Sequence, residues 1–180
     1  MRFRVFTAAL LALPLFVSTA RAQGRQTTFG LKGTVLMPGE FYIAEPNRYF
    51  DFGLSLGAGA FVDTHLADRL LGGVYLDALQ ARAFDDTGLL LDAGITLKAA
   101  LGGRRGGISW RPEIGVGFGN LTAVGPLEST RYLTLRGGLE VVLPGGWLVE
   151  GSVYGAPTGG NNDFTVSYGP MSMIRVGRLF

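Results

Sequence analysis

The chain contains a single histidine, His65, so a catalytic reading depends on whether a nucleophile can reach it. Ser55 and Ser109 are the candidate hydroxyl groups, and a serine nucleophile needs a base such as histidine within hydrogen-bond reach. Neither serine lies in a recognisable nucleophile motif, and His65 falls in a short polar stretch that is typical of a turn. The sequence therefore predicts no catalytic residues and favours a protein that is not an enzyme.

Metal and cofactor chemistry have equally little support. Asp85, Asp86 and Asp163 could gather a divalent cation, which needs several oxygens in fixed geometry, but adjacent loop carboxylates are usually solvated. The stretch from Gly102 to Gly107 lacks the lysine and the helix of a phosphate-binding loop. The chain has no cysteine, which excludes disulfides and thiolate metal sites. We predict no metal site and no cofactor.

The first residues resemble an export signal. Arg2 and Arg4 precede an apolar run from Val5 to Val17, and Ala20-Arg21-Ala22 offers the small residues of a signal-peptidase site. We therefore expect residues 1–22 to be a cleaved signal peptide and residues 23–180 to form one domain. Without the signal, 13 basic residues stand against 14 acidic ones, so the excess of positive charge disappears. Nucleic-acid binding is not predicted.

The rest of the chain is apolar without containing a long apolar run. The whole chain is 47% hydrophobic and only 17% charged, and after residue 22 the apolar residues alternate with small or polar ones. From Phe50 to Val62, for example, the even-numbered residues from Phe50 to Leu56 share one face, while Asp51 and Ser55 share the other. Successive side chains of a β-strand point to opposite faces, so this period of two predicts a strand.

Similar patterns predict about eight strands, and the connections between them alternate in length. The expected strands cover residues 27–36, 50–62, 70–81, 91–99, 108–118, 133–141, 147–154 and 166–180. Compact turns are expected at 63–69, 102–107 and 144–146, and longer loops at 37–48, 83–88, 120–130 and 157–164. The fold class predicted from this meander is all-β: a transmembrane antiparallel up-and-down β-barrel.

A membrane barrel turns its apolar face outward, whereas a soluble lipocalin-like barrel turns it inward. Glycines on the charged face favour the membrane version, because they make room for long side chains inside a narrow barrel. Aromatic residues are also expected to form two girdles at the membrane interfaces. One girdle is predicted from Phe29, Trp110, Trp147 and Phe180, and the other from Phe50, Phe118 and Tyr132, with Phe84 and Phe164 just above.

The charged face would then line the lumen. The residues predicted to point inward are Lys32, Lys98, Arg111, Arg136 and Arg175 against Asp51, Asp77, Asp92, Glu113, Glu140 and Glu150. Buried charges persist only when they are paired, and the interior of an eight-stranded barrel is just wide enough to be filled by side chains. A plug of salt bridges is therefore favoured over a pore.

The export signal, the meander and the terminal Phe180 resemble the OmpA/OmpX-type eight-stranded outer-membrane barrels. Ile174, Val176 and Phe180 match the alternating terminal strand of that family, whereas Arg178 stands where an apolar or aromatic residue is usual. The resemblance implies a location in a Gram-negative-type outer membrane and contact with outer-membrane lipids. It also implies recognition by the outer-membrane assembly machinery through the strand ending at Phe180. We expect a monomer.

Three functions remain open on the sequence. The leading hypothesis is a non-enzymatic barrel with a structural or surface-interaction role, whose contact surface would include residues 37–48 and 120–130. Phe41, Tyr42 and Ile43 in the first loop motivate that idea, because exposed aromatics often serve contact; alternatively, they pack against the barrel rim. The other two functions are a narrow channel for ions or small solutes and a soluble periplasmic lipocalin-like barrel that binds lipid.

Overall fold

The computed structural model describes residues 26–43, 48–102, 107–125, 129–160 and 165–180. The predicted signal peptide, together with Arg104, Arg105, Asp163 and Phe164, lies outside the described residues. In the described part of the chain, no helix is long and apolar enough to cross a membrane.

Eleven strand segments form one antiparallel sheet that closes on itself. They are β1 (Thr27–Leu36), β2 (Gly39–Ile43), β3 (Arg48–Phe52), β4 (Ser55–Ala67), β5 (Leu70–Ala83), β6 (Asp86–Ala99), β7 (Leu101–Gly102), β8 (Ser109–Leu121), β9 (Thr130–Val142), β10 (Trp147–Gly160) and β11 (Thr165–Leu179). β1 with β2, β3 with β4, and β6 with β7 are interrupted halves of single barrel strands, because each pair lies along the same neighbour. The result is an eight-stranded barrel, as predicted.

The first and last strands close the barrel. β1 and β11 pair from Gly30 opposite Leu179 to Leu36 opposite Met173. Beyond them, the backbones of Phe29 and Phe180 exchange two hydrogen bonds, of 2.8 and 3.4 Å. A closed sheet leaves no strand edge facing lipid, which is the condition for crossing a membrane with strands.

The two ends of the barrel are distinguished by their connections. We call the end that holds the Asp68–Arg69 turn, the Pro144–Gly146 turn and Phe180 the turn end, and the opposite end the loop end. Three predicted connections are shorter than expected. β4 runs on to Ala67 instead of turning at Asp63, and β2 occupies much of the predicted loop 37–48. β10 likewise continues to Gly160.

The predicted loop at 83–88 is also wrong, because only two residues connect β5 to β6. Phe84 and Asp85 both have positive φ, of 54° and 59°. This is the backbone conformation of a tight hairpin turn that matches the twist of the flanking strands. Such turns usually carry glycine or asparagine, and neither residue is present here to indicate one.

The strand predicted from Phe50 to Val62 is interrupted at Gly53 and Leu54, between β3 and β4. This irregularity shifts the alternation, so the faces of β3 are the reverse of the prediction. Phe52 is buried inside the barrel, and Asp51 is exposed. Beyond the break the predicted phase returns, with Ser55 buried and Leu56 exposed.

The outer wall of the barrel is apolar. Its exposed large side chains include Leu31, Leu56, Ile95, Leu97, Ile114, Val116, Leu135, Leu139, Val149, Val153, Ile174 and Val176. This is the predicted orientation for a transmembrane barrel, and it is the reverse of what the soluble lipocalin-like alternative requires.

The aromatic residues follow the prediction at the turn end only. Phe29, Trp110, Trp147 and Phe180 are exposed on the outer wall there. At the loop end Phe118 is exposed, but Tyr132 points into the lumen and is buried. Phe50 and Phe84 are half-buried against the same interior cluster. The second predicted girdle is therefore wrong in all these residues except Phe118.

Candidate functional site: the barrel lumen

Ionised side chains fill the part of the lumen nearer the turn end, and we call them the charged layer. The layer comprises Lys32, Lys98, Arg111, Arg136 and Arg175 with Asp63, Asp77, Asp92, Glu113, Glu140 and Glu150. Ten of the eleven predicted residues are present. Asp51 was predicted wrongly, because the break in the strand turns it outward, and Asp63 takes its place.

Two lysines bind the carboxylates at the centre of the layer. The Lys32 ammonium donates to Glu140 at 2.8 Å and to Glu150 at 2.5 Å. The Lys98 ammonium donates to Asp63 at 2.8 Å and to Glu140 at 3.2 Å. Each of these four contacts joins two strands that are not neighbours in the sheet. The pairs therefore span the lumen, which requires the charged face to be inside.

Arg136 and Arg175 extend the network toward the loop end. Arg175 donates to Asp77 and to Glu150, both at 2.8 Å, and Arg136 donates to Asp77 at 3.1 Å. Arg136 also stacks on the ring of Tyr75, with 3.4 Å from its guanidinium carbon to the ring centroid. Each arginine thus joins separate strands through a charge-assisted contact, the stronger class of hydrogen bond.

Asp92 is held by hydroxyl groups. The Thr134 hydroxyl donates to it at 3.0 Å and the Tyr75 hydroxyl at 3.2 Å. These bonds partner a buried carboxylate, which is costly to leave unpaired.

Asp63 was missed because the sequence places it beside His65, Asp68 and Arg69, a polar run that is typical of a turn. In the structure β4 continues past it, and its side chain is fully buried against Lys98. The available signal was parity: Asp63 is odd-numbered, like Ser55, which the alternation from Phe50 to Val62 places on the face opposite the apolar one.

Among the described residues, three buried carboxylates lie close enough together to resemble a metal site: Glu113, Glu140 and Glu150. Two lysines already supply positive charge to this group. Lys32 pairs with Glu140 and Glu150, and Lys98 pairs with Glu113 and Glu140. Both ammonium groups also lie over the Phe61 ring, at 4.2 and 4.6 Å from its centroid. The cluster is therefore an ion-pair network in which cationic side chains of the protein supply the counter-charge; Glu113 takes part through ion pairs of 3.6 Å with Lys98 and 3.7 Å with Arg136, without a hydrogen bond.

The part of the lumen nearer the loop end is filled by apolar and aromatic side chains, which the sequence reading missed. This apolar layer comprises Leu36, Phe41, Ile43, Phe52, Leu79, Ala81, Ala83, Leu90, Leu121, Val124, Tyr132, Tyr154, Ala156, Met171 and Met173, all buried. Three rings pack together at its rim, with centroid separations of 5.6 Å for Phe41–Phe50 and 5.7 Å for Phe41–Phe84. The lumen is closed by two chemically different layers.

Inward-facing glycines make room for bulky side chains, as predicted, but several of those side chains are aromatic. A Cβ atom on Gly30 would collide with the Phe61 ring, and one on Gly119 would collide with the Tyr132 ring. A Cβ atom on Gly115 would lie only 3.0 Å from the side chain of Arg136, which is the type of residue that was expected. Glycine at these positions lets large rings lie flat across the narrow interior.

The fold keeps the candidate catalytic residues Ser55 and His65 apart. Ser55 is the first residue of β4 and His65 the eleventh, which separates them by about 30 Å at the rise of a strand. The Ser55 hydroxyl donates to the Gly53 carbonyl at 3.2 Å. Ser109 lies on β8, facing the lumen, with a largely buried side chain.

Asp86, a candidate metal ligand, has a structural role at the loop end. Its carboxylate accepts hydrogen bonds from the backbone N–H groups of Thr87 at 2.7 Å and of Gly125 at 2.9 Å. These bonds lower the pKa of the exposed Asp86 carboxyl below its ordinary value, since they stabilise the charged form. The residue ties the β5–β6 turn to the segment that follows β8.

No protein-family model and no curated protein sequence matches the chain. Solved structures do. The outer membrane protein OprG from Pseudomonas aeruginosa has 12% identity and a TM-score of 0.52, over 87% of this chain and 97% of that one. The N-terminal β-barrel domain of Pseudomonas aeruginosa OprF has 14% identity and a TM-score of 0.48, over 87% and 99%. Ail of Yersinia pestis, in complex with a heparin analogue, has 12% identity and a TM-score of 0.49, over 87% and 99%. At these identities the likeness to OprG supports the fold alone: a small outer-membrane β-barrel.

Proposed function

We propose that this protein is a non-enzymatic integral protein of the outer membrane, with a structural or surface-interaction role and a lumen that does not conduct. The observation that carries the proposal is the filling of the interior by two successive layers. Ion pairs join non-neighbouring strands in one layer, and packed rings and aliphatic side chains fill the other. An ion moving along the axis would have to displace both layers, and moving it into the apolar layer has a large desolvation cost.

Reconstitution of the protein into planar bilayers is expected to produce no discrete conductance steps. The reason is that the bore of an eight-stranded barrel is already filled by its own side chains. A general porin reconstituted in the same bilayers provides the positive control. Reproducible steps from the folded protein, absent after heat denaturation, would support the alternative of a narrow channel.

The predicted contact surface in the first loop is corrected by the structure. Phe41 and Ile43 point into the apolar layer, so they cannot serve as exposed contacts. The tyrosines on the other face of the β2–β3 hairpin are better placed: Tyr49 is 71% exposed, and its ring lies 5.1 Å from that of Tyr42, centroid to centroid. We infer that this tyrosine pair is an aromatic contact surface that the hairpin offers to a partner or to the membrane interface, where such rings are favoured.

Site-specific labelling can test whether the hairpin faces the cell exterior. The chain has no cysteine, so a membrane-impermeant maleimide will react only with an introduced one. In intact cells we expect Tyr49→Cys to be labelled and Asp68→Cys, in the exposed turn after β4, to be protected until the outer membrane is permeabilised. The opposite pattern would invert the orientation and remove the surface role of the hairpin.

The proposal also includes export through a cleaved signal peptide of residues 1–22, and recognition by the assembly machinery through the strand ending at Phe180. Two features support the latter: Ile174 and Val176 are exposed on the outer wall, and Phe180 packs 6.1 Å from Phe29 between ring centroids. The same apolar outer wall is consistent with contact to outer-membrane lipids and with a monomer.

A further inference from the structure

Arg178 is a charged residue on the apolar outer wall. It lies on β11, opposite Leu31 of β1 and Trp147 of β10. Its neighbours two residues away on the same face are Val176 and Phe180, and all three side chains are exposed. The guanidinium is therefore set among side chains that face lipid at the turn end.

Two aromatic rings flank this guanidinium. Its carbon lies 5.6 Å from the centroid of the Trp147 ring and 5.8 Å from that of the Phe180 ring. Both distances are within the range of cation–π attraction. The rings hold the side chain along the wall, and because Arg178 is itself exposed, its donors remain accessible.

In the described part of the chain, no carboxylate forms a salt bridge with Arg178, in contrast to the five cations of the lumen. A guanidinium at the edge of the hydrocarbon region is stabilised by an anion, and its planar donors match a phosphate group bidentately. At the level where tryptophan and phenylalanine meet headgroups, the abundant anion is the phosphate of a phospholipid.

We propose that Arg178, held between Trp147 and Phe180, is a contact site for the phosphate of a phospholipid headgroup in the leaflet at the turn end. This inference rests on the proposed insertion of the barrel in a membrane. It explains why an arginine stands where an apolar residue is usual. The rings provide the interfacial anchor, and the guanidinium binds the lipid phosphate.

Native mass spectrometry of the protein, purified in detergent and incubated with defined lipids, can test the site. The probes are phosphatidylglycerol and a galactosyl diacylglycerol with the same acyl chains, which carries no phosphate. We expect Arg178→Gln to reduce retention of phosphatidylglycerol about five-fold, as follows from about 1 kcal/mol per basic residue near a membrane surface. Retention of the galactolipid should not change, and Arg178→Lys should have an intermediate effect.

Arg131→Gln is the matched control, because Arg131 is also exposed, on β9 at the loop end. Equal losses of phosphatidylglycerol in the two variants would overturn the proposal, as would unchanged retention in Arg178→Gln. Inorganic phosphate at millimolar concentration is then added as a competitor. If it displaced bound phosphatidylglycerol as effectively as added lipid does, the site would bind a free anion, and the assignment to a headgroup would be overturned. Heat-modifiable migration of each variant tests barrel folding separately, so loss of lipid selectivity is distinguishable from loss of the folded barrel on which the proposed membrane insertion depends.

Discussion

Replacing Glu140 with glutamine is expected to lower the free energy of unfolding by about 3–5 kcal/mol, the usual cost of breaking a buried ion pair from one side. The Glu140 carboxylate is fully buried and accepts hydrogen bonds from Lys32, Lys98 and Arg111 at 2.8, 3.2 and 3.3 Å. Glutamine keeps the shape but removes the charge, so three cations would lose a shared counter-ion. Urea unfolding of the protein in lipid vesicles, followed by tryptophan fluorescence, measures the change.

Glu40→Gln is the matched control for this prediction. Glu40 lies on β2 at the loop end with an exposed side chain, and exposed charges contribute little to stability. We expect its unfolding midpoint to stay close to that of the unaltered protein. If both variants unfolded at the same urea concentration as that protein, the charged layer would not stabilise the barrel.

Phe52→Ala is expected to reduce the free energy of unfolding by about 3–5 kcal/mol, as other buried phenylalanine truncations do. Phe52 is 1% exposed, and its ring meets that of Phe41 edge-on at a centroid separation of 6.5 Å. Removing it leaves a void in the apolar layer that the surrounding strands can fill only in part. The same vesicle-based urea titration measures this loss.

Phe118→Ala provides the comparison, because this ring is on the outer wall and 66% exposed. Acyl chains can occupy the space that it leaves, so we expect the smaller effect. A larger loss for Phe118→Ala than for Phe52→Ala would contradict the observed faces of β3. It would instead favour the uninterrupted alternation from Phe50 to Val62.

The fold could be predicted from the sequence wherever apolar and polar residues alternate without interruption. β6 and β8 are examples: Asp92 and Lys98 point inward, and Ile95 and Ile114 point outward, as their parity requires. The same parity predicted most of the charged layer, including Glu140, Glu150 and their partners, because opposite charges on one face of a narrow barrel must meet.

The loop end could not be predicted in this way, since apolar residues there occupy both faces. Phe50 and Phe52 have the same polarity as the lipid-facing Leu54 and Leu56, so composition cannot show that the phase changes at Gly53 and Leu54. Only pairing with other strands determines it: Phe52 lies opposite Ala83 on β5, whereas Leu56 lies opposite Gln80. The apolar layer was missed for the same reason.

The ion pairs that span the lumen also have a consequence for the order of folding. The contacts of Lys32 with Glu140 and Glu150 join residues 108 and 118 positions apart, and the contact of Arg175 with Asp77 joins residues 98 positions apart. Contacts between such distant residues can form only after long loops have closed, and closing them lowers the conformational entropy of the chain. We therefore expect the network to be completed late, when β1 and β11 meet, and much of the stability to be gained in that step.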